Sequence, residues 1–72
     1  MNDELKAQAQ KLFQIAEELE KSAQHAKIAA GHFNSGEVPR ACAHTLATEG
    51  HIHAANDLLK EVAKAHSLKS RV

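Results

Sequence analysis

Residues 5–33, LKAQAQKLFQIAEELEKSAQHAKIAAGHF, decide the fold. Within them Leu5, Ala9, Leu12, Ala16, Leu19, Ala23, Ala26, Ala30 and Phe33 follow one another at alternating steps of four and three. Such steps place every member on one stripe of an α-helix. The second half answers with a ladder of the same kind: Ala41, Thr45, Thr48, Ile52, Ala55, Leu59, Val62 and His66. Between them Asn34-Ser35-Gly36 is a stop, with Gly36 suited to the left-handed position that ends a helix. Pro39 fits the first turn of a following helix, where its missing amide proton costs nothing, and Ser35 or Glu37 caps that start. The expectation is an all-α fold, one domain over residues 1–72 in the form of an antiparallel two-helix hairpin. Helix one covers about 3–34, the turn 35–38 and helix two about 39–67.

Around that frame, Asn2 is placed to cap helix one, and Asp3 and Glu4 sit in its first turn, where carboxylates favour the amino end. Gly50 is the weak point of helix two and costs about 0.5–1 kcal/mol relative to alanine in a helix interior. A continuous or mildly bent helix is expected there, with close backbone packing as the use of the glycine. Folding back at the turn pairs Phe33 with Ala41, Leu19 with Ala55, Ala16 with Leu59 and Leu12 with Val62, so that in most layers a large residue meets a small one. Leu5, Leu12, Leu19, Phe33, Ile52, Leu59 and Val62 are therefore expected to hold the seam. Thr45 and Thr48 can return hydrogen bonds to carbonyls one turn back.

Seventy-two residues are near the lower limit for a self-supporting core, and alanine supplies much of the 43% apolar content. One seam between two helices offsets little of the entropy of ordering the chain. Phe13, Ile15, Ile28, Leu46 and Leu58 lie outside the strict seam, more apolar width than one partner helix covers. A homodimer closing a four-helix bundle is expected, with Phe13, Ile15, Leu46 and Leu58 as interface residues toward the second copy or a protein partner. The layering of alanine and leucine resembles in pattern the plasmid copy-number regulators of the Rop or Rom type, homodimers of helical hairpins that bind paired RNA loops. The likeness spans most of the length but no run of residues matches, so it implies architecture and assigns no RNA contact.

The formal net charge is zero, which argues against broad attraction to nucleic acid or anionic membrane. Lys6, Lys11, Lys21 and Lys27 are interrupted by Glu17, Glu18 and Glu20, and ion pairs along the helix account for them. No apolar run reaches membrane-spanning length and the start is unlike a signal peptide, so a cytoplasmic protein is expected. The single cysteine, Cys42, reads as a small hydrophobe in a reducing compartment.

Six histidines are the remaining chemical feature. His25 and His32 are seven apart on helix one and read as solvated; Glu49 and His53 read as a surface pair. His44 and His51 are also seven apart, which shares a face but leaves them about 10 Å apart along the axis. They are the candidate metal ligands, if a two-fold axis gathers copies of them around zinc, copper or nickel. No Glu-x-x-His motif is present, which disfavours a di-iron carboxylate bundle. Ala43-His44-Thr45-Leu46, with Gly50 and the apolar stretch to Val62, resembles the acceptor helix of histidine phosphotransfer domains, which implies His44 as a phosphoryl acceptor. The sequence departs from that pattern at Ala47 and Thr48, where the family carries lysine and glycine. No nucleophile elbow, phosphate loop or catalytic triad is found, so the leading expectation is a homo-oligomeric binding or adaptor bundle without evident catalysis.

Overall fold

A computed structural model describes the backbone of residues 2–70 and the side chains of residues 3–65. Two helices account for it: α1, Asn2–Asn34, and α2, Val38–Ser70. They pack antiparallel, side by side, into a body 55 × 19 × 12 Å, one helix thick. The expected caps and ends differ slightly: α1 already includes Asn2, α2 starts at Val38 and runs to Ser70. The side chains of Asn2 and His66 lie outside the described residues.

The turn is built from local chemistry. Gly36 takes a positive φ of 76°, Glu37 N–H donates to the His32 carbonyl (2.8 Å) and Gly36 N–H to the Phe33 carbonyl (3.1 Å). These crossed bonds are a Schellman motif, which satisfies carbonyls that α1 would otherwise leave open. Ala41 N–H donates to the Glu37 carbonyl (3.0 Å), which makes Glu37, rather than Ser35, the capping position of α2. Pro39 follows within the first turn, where it breaks no helical bond. α2 passes through Gly50 without interruption, and a Cβ there would meet nothing within 4 Å. Close backbone packing is therefore not the use of this glycine.

The helices are where the ladders place them, but the seam is not. On α1 the inward positions are Gln8, Lys11, Ile15, Glu18, Ser22, His25, Ala29 and His32, each one residue before the expected member. One residue is about 100° of rotation. On α2, Ala41, Thr48, Ala55 and Val62 do face α1, but His44, His51 and Leu58 replace Thr45, Ile52 and Leu59. Among the described residues only Ala29, Ala41, Ala55 and Ser22 are buried, and no large side chain is. Small residues at these positions let the helices approach, and Ser22 Oγ donates across the seam to the Thr48 carbonyl (2.9 Å). Thr45 and Thr48 do bond back to the carbonyls of Ala41 and His44 (2.8 Å each).

The expected seam residues are instead half-exposed: Leu5, Leu12, Leu19, Phe33, Ile52 and Leu59 each keep about half or more of their surface, and only Val62 packs inward. Leu19, Ile52 and Leu59 line a shallow groove of about 180 Å³ together with Ile15, Ala55 and Asn56. The leucine stripes of both helices thus share one flank of the hairpin. The physical reason for the correction is that the polar residues beside the stripe find partners on the opposite helix, whereas the stripe is wider than a single helix can cover.

Candidate functional site: a histidine row in the helix seam

Between Glu18 and Glu37 the seam is a row of imidazoles. At its centre His25 Nδ1 and His44 Nδ1, one from each helix, are 2.8 Å apart, so one carries the proton and the other the lone pair. The two rings stack at 5.1 Å between centroids. His51 stacks on His25 at 5.5 Å, and His32 on His44 at 5.6 Å. Each outer ring ends on a carboxylate: His51 Nδ1 donates to Glu18 Oε2 (2.6 Å), and His32 Nδ1 to Glu37 Oε2 (2.8 Å). Arg40 Nη1 also reaches Glu37 Oε1, at 3.4 Å. Donation from Nδ1 sets the tautomer of His32 and His51 with Nε2 unprotonated when the rings are neutral.

The order along the seam is Glu37, His32, His44, His25, His51, Glu18, and it is nearly two-fold symmetric. The symmetry is written in the sequence. Glu18, His25, Gly31 and His32 recur nineteen residues later as Glu37, His44, Gly50 and His51, and the apolar Ile52 answers Phe33. Lys21 and Arg40 match as well, as do Leu19 and Val38. Because the helices run antiparallel, the two copies of the Glu-x6-His-x6-His pattern face each other head to tail. The pseudo-two-fold axis falls between His25 and His44.

Comparison with protein families, with curated proteins and with solved structures gives no match. The site is therefore read from its own geometry.

His44 and His51, proposed from the sequence as metal ligands between subunits, both lie half-buried within the seam of one chain, and each is engaged by α1. His25 and His32, expected to be solvated, are half-buried members of the same row. His53 and Glu49 are both exposed. Of the proposed interface residues, Ile15 and Leu58 are half-buried in the seam, while Phe13 and Leu46 each stand 68% exposed on the outer faces. Cys42 is exposed and free. Glu18, Ser22 and Glu37 were not singled out as members of a site, and the seven-residue spacing that joins each glutamate to its histidines was the signal for them. Among the described residues no three histidine, cysteine, aspartate or glutamate side chains converge as a closed metal site, and no helix is long and apolar enough to cross a membrane.

Proposed function

We propose that the chain is a self-associating helical hairpin, two copies of which cover each other's leucine flank to form a cytoplasmic four-helix bundle that serves as a binding or adaptor module. The observation that carries this reading is the inversion of the apolar surface. Leu5, Leu12, Leu19, Phe33, Ile52 and Leu59 remain about half-exposed along one flank, while the buried residues among those described are three alanines and a serine. Covering a half-exposed leucine, isoleucine or phenylalanine contributes about 1 kcal/mol, so a partner on this flank adds several. A second copy suits the flank for two reasons. Ala9, Ala16, Ala23 and Ala30 follow the leucines of α1 along the stripe, so a two-fold related copy can set large residues against small ones. The chain also carries no net charge, so copies do not repel. The free Cys42 suits a reducing cytoplasm.

Sedimentation equilibrium tests the proposal. A dimer at micromolar concentration is expected, and Leu12→Glu combined with Leu59→Glu should give a monomer. A wild-type chain that stays monomeric and folded at tens of micromolar overturns it. A phosphoryl acceptor, by contrast, needs an exposed and solitary histidine. His44 is half-buried, bonded to His25 and stacked on His32, an arrangement that does not favour that role.

A further inference from the structure

Every hydrogen bond in the histidine row fixes which ring nitrogen is free to take a proton. His32 and His51 each donate Nδ1–H to a carboxylate, so a proton arriving at either ring adds at Nε2 and leaves the bond in place. It also makes each contact charge-assisted, which strengthens it. The centre behaves differently. His25 Nδ1 and His44 Nδ1 are 2.8 Å apart, a bond in which one ring donates and the other supplies a lone pair. A first proton adds at Nε2 of the donor ring, and the bond survives. A second can only take the acceptor's Nδ1 lone pair, because that ring already carries hydrogen on Nε2. The bond is then gone, and two N–H groups point at each other.

Among the described residues, the groups that face the central rings do not compensate that second proton. His25 faces His44 and His51 of α2 at 5.1 and 5.5 Å between centroids, and His44 faces His32 of α1 at 5.6 Å as well as His25. One turn before each central ring stands a further cation, Lys21 on α1 and Arg40 on α2, both exposed. The carboxylates of Glu18 and Glu37 are taken up by the outer rings, and that of Glu37 by Arg40 as well. A fully protonated row therefore stacks cation on cation along its length, with carboxylates only at its ends, and the half-buried rings are screened less than exposed ones. No third ligating side chain converges on the central pair among the described residues, so its chemistry is that of the shared proton.

We infer that the row is a proton-operated latch: the seam is closed while at least one of His25 and His44 is neutral, and its centre opens when acid protonates both. Histidine is the side chain that ordinarily changes charge between about pH 5 and 8, so the latch works in mild acid. Ser22, one turn before His25, donates to the carbonyl of Thr48, one turn after His44 (2.9 Å), so that bond parts with the central one. Linkage sets the sign. The closed pair binds one proton fewer than two imidazoles of the unfolded chain. It contributes stability that is lost as pH falls below about 6.5, by up to about tenfold in the folded-to-unfolded ratio per pH unit. The outer contacts gain in the same range, since their protonated rings rest on carboxylates, so acid loosens the centre while the ends hold.

The latch lies within one chain and does not rest on dimer formation. Nuclear magnetic resonance of isotope-labelled protein tests the bond directly. A scalar coupling between His25 Nδ1 and His44 Nδ1 is expected at about pH 7.5, carried by the hydrogen bond, and should vanish by about pH 5. Urea titration across that range, at two protein concentrations tenfold apart, tests the consequence. His25→Gln and His44→Gln should each lose the acid response of the centre, because a glutamine amide both donates and accepts and takes no charge. Between the two pH values the stability of wild type relative to either variant should fall by about tenfold or more in the folded-to-unfolded ratio. Glu18→Gln/Glu37→Gln should steepen the acid loss, because it removes the contacts that acid strengthens. Circular dichroism checks that the variants are helical at neutral pH; if one fails to fold, the coupling in the wild-type protein still decides. A coupling absent at about pH 7.5 or persisting at about pH 5 overturns the latch, as does an unchanged pH dependence in both glutamine variants. An acid response present only at the higher concentration also overturns it and places the protonation effect between copies.

Discussion

At the scale of single residues, the three glycines divide by backbone conformation. Gly36 alone has a positive φ, and an L-residue there pays about 1–2 kcal/mol. Gly36→Ala should lower stability by about 1 kcal/mol or more in urea titration. Gly31 and Gly50 are helical and open, with nothing within 4 Å of an added Cβ. Gly50→Ala should therefore stabilise the protein by about 0.5–1 kcal/mol, through helix propensity and a less flexible unfolded chain. An unchanged or lower stability would mean that a group outside this chain needs the space. Ser22 is the opposite case, a polar residue that is 5% exposed and bonded across the seam. Ser22→Ala should cost about 1 kcal/mol, the usual net worth of such a bond. Ser22→Leu should cost more, because the larger side chain must push the helices apart.

At the scale of the helices, each element carries two stripes with the same alternation of three and four. One is apolar and was visible as a ladder. The other, from Glu18 through Ser22, His25 and Ala29 to His32, is polar or small and was hidden by it. The turn ties the stripes to each other, because Glu37 is at once the cap of α2, a member of the Schellman motif and the partner of His32. Glu37→Ala removes the hydrogen bond to His32 and the ion pair to Arg40 together but leaves the backbone bonds. Since the carboxylate is 46% exposed, the loss should be below about 1 kcal/mol. Amide exchange should then quicken at the turn and leave the centres of both helices protected; uniform quickening would show that the pair supports the whole hairpin.

At the scale of the molecule, a body one helix thick has almost no interior, so most of its apolar area waits on the surface. Stability should then follow association. If a second copy covers the leucine flank, the melting temperature should rise with protein concentration, as mass action requires of a folded dimer in equilibrium with unfolded chains. A melting temperature independent of concentration between one and a hundred micromolar (about two decades) would separate folding from assembly and count against the dimer.

The sequence by itself determined the helices, the place and residues of the turn, and the antiparallel return, because periodicity, Gly36 and Pro39 act over a few neighbouring residues. It also carried the Glu18 and Glu37 repeats in plain view, as spacing. Only the tertiary structure decided which stripe faces inward. The rotation of a helix about its own axis leaves every local signal unchanged, and it is settled by partners distant in the chain: Ser22 with Thr48, His25 with His44, Glu18 with His51. Those contacts, rather than the leucine ladder, join the two helices of this protein.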